Sequence, residues 1–241
     1  MKAEDKTAIP RVRIAVIGHA DVGKSALTVR YLTGRFIGEY RSNTDLLYNK
    51  TITLETGLTE VEIVDVYAGS VDGDEQNEFP MEQVLWSDAC MIVYNITQRS
   101  SFEYAAKCLA EFKSLQNAPT AYLVGNKADL DHLREVPEKE GAALAAASSI
   151  GFCEVSVAEY TPTLYKAFEK LIIDSRARPQ KQNRKFSVSK MLGTLIGNNS
   201  YSQKSLGPIN HQGTVVPCHK GELHKSRVLK RRQGFTATTS L

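Results

Sequence analysis

Short apolar runs alternate with amphipathic stretches over the first 176 residues of the chain. The runs have the length of strands, whereas the stretches between them repeat apolar side chains every three or four residues, as helices do. Such alternation is typical of an α/β domain with a mostly parallel sheet. The pattern predicts strands at residues 11–18, 48–55, 59–66, 90–95, 120–125 and 152–156, and helices at residues 24–33, 80–87, 99–115, 136–149 and 162–176.

Only Thr56-Gly57-Leu58 separates the second predicted strand from the third. A connection this short has no room for a crossover helix, so the two strands are expected to form an antiparallel hairpin at one edge. The expected fold is therefore a six-stranded, mostly parallel sheet with one antiparallel edge strand and about five helices.

A glycine-rich step joins the first predicted strand to the first predicted helix. Its spacing matches G-x-x-x-x-G-K-[ST], the phosphate-binding loop. In this pattern glycine lets backbone N–H groups surround a polyphosphate, and the helix directs the positive end of its dipole at the anion. Lys24 would reach the β and γ phosphates, and the hydroxyl of Ser25 would bind Mg²⁺. The predicted nucleotide contacts here are Gly18, His19, Ala20, Asp21, Val22, Gly23, Lys24, Ser25 and Ala26.

A second polar motif, Asn126-Lys127-Ala128-Asp129, follows the fifth predicted strand. It lies at the carboxyl edge of the sheet, where open α/β folds bind their ligands. An aspartate there can accept hydrogen bonds from both the N1–H and the exocyclic amine of guanine, and adenine presents no such donor pair. The motif therefore predicts guanine selectivity, although a single Asn-x-x-Asp can also be a polar turn with a helix cap.

These motifs, together with Asp65 at the end of the third predicted strand, resemble the guanine-nucleotide motifs of Ras-type small GTPases. The resemblance extends over residues 11 to about 176 and needs no gap between Gly18 and Asp65. It is particularly close to the divergent branch that contains the Ras-related oestrogen-regulated growth inhibitor, in the stretches 25–33, 35–40 and 125–130. The resemblance implies a P-loop NTPase G domain that binds GTP and GDP with Mg²⁺ and acts as a signalling switch.

The resemblance also implies further contacts to the base. Phe36 would pack edge-on against the guanine ring. The third base-contacting loop of the family corresponds to Ser156, Val157 and Ala158. Backbone contacts fit this stretch, but Ala158 lacks the lysine stem that the family places against the base.

The same resemblance implies a set of metal ligands. Asp65 would hold a Mg²⁺-bound water, beside Ser25. At the place of the family's switch I threonine the ungapped alignment gives Asn43, while Thr44 would need a slip of one residue. The metal ligands implied are therefore Ser25, Asp65 and either Asn43 or Thr44.

The chain departs from the family where hydrolysis is catalysed. In place of the family's Asp-x-x-Gly, either Ala68 replaces the glycine or one residue is inserted before Gly69. Under both alignments the glutamine that orients the attacking water is missing, and Gly69 or Ser70 stands in its place. Ala20 occupies a position where the family usually needs glycine to leave room for an incoming arginine.

Both departures affect the same chemical step. An arginine supplied to enzymes of this class is worth roughly 10³ to 10⁵ in rate. We therefore expect a small monomeric GTPase with slow intrinsic hydrolysis, in which Lys24 supplies charge to the phosphates. A GTP-binding interaction module with negligible hydrolysis is the alternative, and the guanine motif argues against an ATP-using P-loop kinase.

Charge divides the chain near residue 177. Residues 177–241 contain 12 Lys and Arg and a single acidic residue, Glu222, whereas the first 176 residues carry a net charge of −8. The second part is also rich in Gln, Asn, Ser and Gly, which is typical of disorder. The expected organisation is an N-terminal extension at residues 1–10, the G domain at 11–176 and a basic, mostly disordered tail at 177–241.

The tail bears on localisation and partners. Apolar residues recur at helical spacing near residues 186–197, with basic residues nearby, as in a short amphipathic helix on an anionic membrane. A solvated basic tail is an equal alternative. The run Lys230-Arg231-Arg232 also fits nuclear import, and DNA binding is disfavoured because no base-reading motif accompanies it. The ending Thr239-Ser240-Leu241 fits a ligand of a PDZ domain.

The common membrane signals are missing from the sequence. No apolar signal segment opens it, no apolar run approaches the roughly 20 residues of a spanning helix, and no cysteine near the C-terminus would take a prenyl group. We expect a monomeric cytoplasmic protein that is either peripheral at the inner membrane surface or nuclear. Effectors are expected to bind through the predicted switches, residues 35–48 and 66–86, whose conformation would depend on the γ phosphate.

Overall fold

The computed structural model describes residues 9–37, 40, 44–68 and 78–178, together with the backbone of residues 214–218. In this part of the chain the strands are β1 (Arg11–Gly18), β2 (Asp45–Leu54), β3 (Gly57–Asp65), β4 (Ala89–Asn95), β5 (Thr120–Asn126), β6 (Gly151–Glu154) and β7 (Thr214–Cys218). The α-helices are α1 (Lys24–Thr33), α2 (Met81–Trp86), α3 (Arg99–Ser114), α4 (Glu138–Ala147) and α5 (Pro162–Ala177), and a 3₁₀ helix spans Ala128–Leu133. None of these helices is both long and apolar enough to cross a membrane.

The described strands form one sheet in the order β6-β5-β4-β1-β3-β2-β7. β1 pairs in parallel with β3 and β4, and the parallel arrangement continues through β5 to β6. β2 pairs antiparallel with β3, because only Glu55 and Thr56 connect them. The predicted six-stranded, mostly parallel sheet with one antiparallel strand is confirmed. The largest shift in bounds is at β2, which begins at Asp45 rather than at residue 48.

A seventh strand comes from the predicted tail. Thr214–Cys218 pairs antiparallel with residues Asp45 to Asn49 of β2, on the side away from β3. The sequence pattern does not indicate this strand, since its apolar run is short and contains Pro217. The predicted amphipathic helix near residues 186–197, the basic run at 230–232, the PDZ-type ending and the N-terminal extension up to residue 8 all lie outside the described residues.

The sheet is buried between two layers of helices. On one face, Ile14 and Val16 of β1 pack in a cluster with residues of α1 and α5. On the other face, Ala15 and Ile17 pack in a cluster with residues of α2, α3 and α4. Burial on both faces is the physical reason why β1 reads as a continuous apolar run instead of an alternating one.

The two clusters hold the carboxyl ends of the parallel strands at one edge of the sheet. β1 ends at Gly18, β3 ends at Asp65 and β5 ends at Asn126. Three residues that the sequence separates widely are thereby brought to one edge, where ligands bind in open α/β sheets.

Candidate nucleotide-binding site

A cavity of about 430 Å³ opens at the carboxyl ends of β1, β3 and β5. Its walls come from the loop between β1 and α1, the segment between α1 and β2, the segment after β3, and the loops that follow β5 and β6. The described residues that line it are Ala20, Asp21, Gly23, Lys24, Ser25, Ala26, Phe36, Tyr40, Thr44, Asp65, Val66, Tyr67, Ala68, Asn126, Lys127, Asp129, Val157 and Ala158. One space therefore brings together the residues predicted for the phosphates, the metal and the base.

Other predicted contact residues lie away from the lining. Gly18, Val22 and Ser156 are buried and do not line the cavity. The ring of His19 meets the ring of Tyr104 edge-on, with 6.0 Å between the ring centres, so His19 connects the phosphate loop to α3. The two remaining predicted contacts, Asn43 and Gly69, lie outside the described residues.

The phosphate loop is fixed by contacts that the motif alone does not reveal. Gly23 has a φ of 91°, and a Cβ at this position would collide with the side-chain amide of Asn126. That amide donates from Nδ2 to the carbonyl of Val22 at 2.8 Å, and Oδ1 accepts from the N–H of Val157 at 3.3 Å. Asn126 is fully buried and so joins the phosphate loop to the loop after β6.

Lys24 is the cation of the phosphate loop. Its Nζ donates to the carbonyls of Gly18 and His19, at 2.9 and 2.7 Å. Burial lowers the pKa of Lys24 to about 8, and the nearby charges of Asp65 and Asp21 only partly oppose this effect. A bound phosphate would add negative charge beside the ammonium and would therefore favour its protonated form.

The first turn of α1 offers further donors. α1 begins at Lys24, and its N-cap, Gly23, provides no side-chain oxygen to bond the free N–H groups. Those N–H groups and the positive end of the helix dipole point toward the cavity mouth formed by the same residues, which suits an anion.

The residues expected to hold Mg²⁺ meet beside the phosphate loop. Ser25, Thr44 and Asp65 line the same cavity. Burial raises the pKa of Asp65 to about 6, although the nearby hydroxyl of Ser25 and the charge of Lys24 act in the opposite direction. Hydroxyl and carboxylate oxygens are the donors that Mg²⁺ prefers, so these residues fit the ion.

The protein supplies only part of such a metal shell. Within the described ranges, no group of three or more His, Cys, Asp and Glu side chains could hold a metal ion by itself. A Mg²⁺ ion at Ser25 and Asp65 would therefore take its remaining ligands from phosphate oxygens and water, which is its usual behaviour in nucleotide sites.

The opposite end of the cavity carries the predicted base contacts. Lys127 has a φ of 66°, and this left-handed turn leads directly into the 3₁₀ helix that presents Asp129. The Asp129 side chain is exposed and lines the cavity, so its carboxylate is available to a base. Ala158 lines the cavity as well and presents a methyl group there. Phe36 lines the wall with 44% of its surface exposed.

Asp45 connects the two predicted switches through hydrogen bonds of its carboxylate. Its Oδ1 accepts from the N–H of Tyr67 at 2.8 Å, and its Oδ2 accepts from Nε2 of Gln83 at 2.7 Å. β2 is thereby tied both to the segment after β3 and to α2. The sequence analysis did not identify Asp45, Tyr40 and Tyr67 as residues of the site. Their position inside the two predicted switches was the only signal for them in the sequence.

The side of the cavity where hydrolysis would take place carries methyl groups. Ala20 and Ala68 both line it, and no glutamine is found among the described lining residues. Gly69 and Ser70, on which the two sequence alignments depend, and Gln76, the next glutamine along the chain, lie outside the described residues.

The fold and the cavity define a P-loop nucleotide-binding domain of the small GTPase type. Residues 13–176 match the model of the Ras family, and the chain belongs to that family. It is therefore a Ras-like, GTP-binding small GTPase of signal transduction.

Three relatives describe this membership more closely. The "Ras-related and estrogen-regulated growth inhibitor-like protein" of Bos taurus is 38% identical over 196 residues, which are 78% of this chain and 94% of the relative. The "Ras-related and estrogen-regulated growth inhibitor" of Homo sapiens is 39% identical over 176 residues, or 72% of this chain and 85% of the relative. The "Ras-like protein family member 11B" of Danio rerio is 35% identical over 175 residues, covering 70% and 71% of the two chains. The predicted resemblance to this branch is confirmed.

Proposed function

We propose that this protein is a Mg²⁺-dependent GTP/GDP switch that hydrolyses GTP slowly. The observation that carries the proposal is the composition of the cavity wall. The wall combines Lys24, Ser25 and Asp129, which suit a guanine nucleotide, with the methyl groups of Ala20 and Ala68 on the side of the chemistry.

Binding would use the residues that the core already positions. The backbone N–H groups at the start of α1 and the ammonium of Lys24 would hold the β and γ phosphates. The carboxylate of Asp129 would accept hydrogen bonds from N1–H and the exocyclic amine of guanine, and Phe36 would cover an edge of the ring. Two hydrogen bonds to a charged acceptor account for about 3 to 6 kcal/mol of selectivity against adenine.

Hydrolysis would depend on fewer groups than in a complete Ras-type site. Ser25 and Asp65 would hold Mg²⁺, which would supply positive charge against the negative charge that develops on the phosphates. Lys24 would stabilise charge on the transferred phosphate. Without a glutamine the attacking water would be poorly oriented, and the Cβ of Ala20 narrows the space through which an arginine would enter.

A second candidate is a GTP-binding interaction module with negligible hydrolysis. The same wall supports it, because neither Ala20 nor Ala68 can orient water. The two functions differ in whether bound GTP decays at all.

Single-turnover hydrolysis on the full chain separates the two. The protein is loaded with GTP, Mg²⁺ is added, and phosphate release is followed for many hours against the same protein loaded with a non-hydrolysable analogue. A slow exponential release supports the switch, and a trace equal to the analogue supports the module. Hydrolysis at the rate of an unassisted Ras protein, on the order of 10⁻⁴ s⁻¹, would contradict both.

Effectors would bind the surface around the two predicted switches. Among the described residues there, Ile37, Tyr67, Met81 and Leu85 are exposed apolar side chains. Apolar residues grouped on a surface of this kind mark protein interaction sites. Binding of a partner that requires GTP and is lost in Leu85→Glu, but not in Leu133→Glu on the 3₁₀ helix, would support this assignment.

The protein would be monomeric and cytoplasmic. Its tail would direct it either to the inner membrane surface, as a peripheral protein, or to the nucleus. Twelve basic residues in 177–241 support attraction to anionic lipid. Co-sedimentation with phosphatidylserine vesicles by the full chain, and its loss when residues 184–196 are deleted, tests the membrane function. A PDZ domain at Leu241 is tested by the same chain with one added C-terminal residue, since the free carboxylate would then be displaced.

A further inference from the structure

The two outer strands of the domain sheet present very different edges. At one side β6 is only four residues long, so few backbone groups are left unpaired there. At the other side β2 is ten residues long and contains the apolar residues Leu46, Leu47 and Tyr48. A long apolar edge strand is a template for pairing with another strand, and proteins generally cover or blunt such an edge.

β7 covers part of this edge. Its five residues pair with the first half of β2, so that Val216 is opposite Leu47 and Val215 is opposite Tyr48. Residues directly opposite each other in an antiparallel pair share a face of the sheet. Leu47 and Tyr48 are buried in the two different core clusters. The register therefore places one valine of the tail on each face, at positions that suit β-branched residues.

The new edge that β7 creates is itself blunted. Pro217, opposite Leu46, has no backbone N–H and cannot donate to a further strand. β7 is therefore a poor template for a further strand at the outer edge of the sheet.

The covered part of β2 adjoins the nucleotide cavity. Cys218 is opposite Asp45, and Asp45 follows Thr44, which lines the cavity. Asp45 also accepts the hydrogen bonds from Tyr67 and Gln83. A strand that pairs here lies along the surface where the two predicted switches meet.

The connection between α5 and β7 allows this pairing within one chain. Roughly 36 residues lie between Ala177 and Thr214. Fully extended, a chain of that length reaches up to roughly 120 Å. A ligand tethered in this way has an effective concentration on the order of millimolar, so even a weak strand occupies its site.

We propose that residues 214–218 are an intramolecular ligand of the β2 edge and that they exclude strands of other proteins from it. A partner that adds a strand to β2 binds only after the tail strand has left. This inference concerns the sheet edge and does not depend on the rate of GTP hydrolysis.

Hydrogen exchange on the full chain tests the pairing. The variant Val215→Asp/Val216→Asp places a charge on each face of the tail strand, and Val228→Asp/Leu229→Asp is the matched control with the same charge change in the same tail. We expect the amides of residues 45–49 that point away from β3 to exchange about tenfold faster or more in the first variant and at the wild-type rate in the control.

Two internal measurements make this result decisive. Exchange in β4, residues 89–95, reports whether the domain remains folded. Comparison of a dilute and a concentrated sample reports whether the strand comes from the same chain. Unchanged exchange at residues 45–49 would overturn the proposal, and so would protection that grows with protein concentration, because the tail would then pair with a second copy.

Disulfide trapping tests the exclusion. The chain used for trapping carries Asn49→Cys and Cys218→Ser. The probe is a peptide of residues 210–222 with Cys218→Ser and with Thr214→Cys, which places its cysteine opposite residue 49. Adding Val215→Asp/Val216→Asp to the chain should accelerate capture of the peptide about fivefold or more, because the tethered competitor is removed. A peptide with the cysteine moved to position 215 controls for register. Equal capture rates with and without the tail substitutions would overturn the exclusion.

Discussion

The base end of the cavity and its switch side are built by different means. At the base end, Asn126 is fully buried and ties the phosphate loop to the loop after β6. On the switch side, Thr44 and Tyr67 belong to segments between strands, and the N–H of Tyr67 donates to the carboxylate of Asp45. The first region keeps Asn126 and Asp129 of the Ras-type pattern and departs from it at Ala158, whereas the second departs from it at Ala20 and Ala68. Recognition of a nucleotide and its hydrolysis are thus assigned to separable parts of the same cavity, and substitutions should affect them separately.

The largest expected effect is on base recognition, through Asp129→Asn. The amide presents a donor where guanine presents its N1–H and amine, so GTP affinity should fall by about a hundredfold or more. Xanthosine triphosphate carries a carbonyl in place of the amine, and its affinity should rise. Equilibrium titration with fluorescent nucleotides measures both.

The control for this prediction is Asp131→Asn. Asp131 lies on the same 3₁₀ helix and forms an exposed ion pair with Arg134, at 2.7 Å between Oδ1 and Nε. Its substitution should leave GTP affinity unchanged. An equal loss in the two variants would mean that the helix, and not the carboxylate of Asp129, determines affinity.

The next effect is on the metal, through Ser25→Ala. The substitution removes the hydroxyl that lines the cavity with Asp65, so Mg²⁺ should no longer slow nucleotide release. In the wild type, chelation of Mg²⁺ should accelerate GDP dissociation by about tenfold or more, which corresponds to about 1.4 kcal/mol. Stopped-flow dissociation of a labelled GDP with and without EDTA measures this ratio.

A second hydroxyl on α1 provides the comparison. Thr33 bonds the carbonyl of Val29 at 2.8 Å and lies at the other end of the helix. Thr33→Ala should keep the full response to EDTA. If Ser25→Ala also keeps it, Ser25 does not hold the metal.

These two regions also differ in how far sequence predicted them. The strands near the base end follow from continuous apolar runs, and the position of Asp129 follows from a motif at the end of β5. The contacts of Asn126 could not be predicted, because Val22 is 104 positions and Val157 is 31 positions away from it in the sequence. Such contacts depend on the closed fold rather than on local spacing.

On the switch side, sequence identified the segments but not their organisation. The sequence prediction begins the second strand at residue 48 and omits Asp45, Leu46 and Leu47. In the structure Asp45 is buried and paired with Tyr67 and Gln83, so tertiary hydrogen bonds extend β2 by three residues. β7 was missed for a related reason: its pairing partner lies in another part of the chain, and a run of five residues carries no periodic signal of its own.

A smaller effect is expected from restoring a glutamine to the switch side. Gly69→Gln corresponds to the alignment in which Ala68 replaces the family glycine, and Ser70→Gln to the alignment with an inserted residue. One of the two variants should accelerate single-turnover hydrolysis by about tenfold, since a positioned side chain lowers the barrier by roughly 1.4 kcal/mol.

The outcome determines which alignment applies. Gln76→Ala serves as the control and should not change the rate, because no contact of Gln76 with the attacking water is expected. Acceleration by neither variant would contradict the prediction, and adding Ala20→Gly to each variant then measures the restriction that the Ala20 methyl group imposes.

The smallest expected effect is a pH dependence of nucleotide binding. In the nucleotide-free site, burial lowers the pKa of Lys24 to about 8, so the ammonium is charged below this pH and becomes neutral above it. The charged fraction of Lys24 falls from about 0.9 at pH 7 to about 0.25 at pH 8.5, and affinity for GDP should fall roughly fourfold over this range.

A bound phosphate favours the ammonium form of Lys24, so nucleotide binding at pH 8 should take up about half a proton. Calorimetry in buffers of different ionisation enthalpy measures this uptake directly, and Lys24→Arg, whose guanidinium stays charged, should abolish it. An uptake that is the same at pH 7 and pH 8 would mean that Lys24 is already fully charged in the empty loop, and the two carbonyls of Gly18 and His19 would then compensate for its burial.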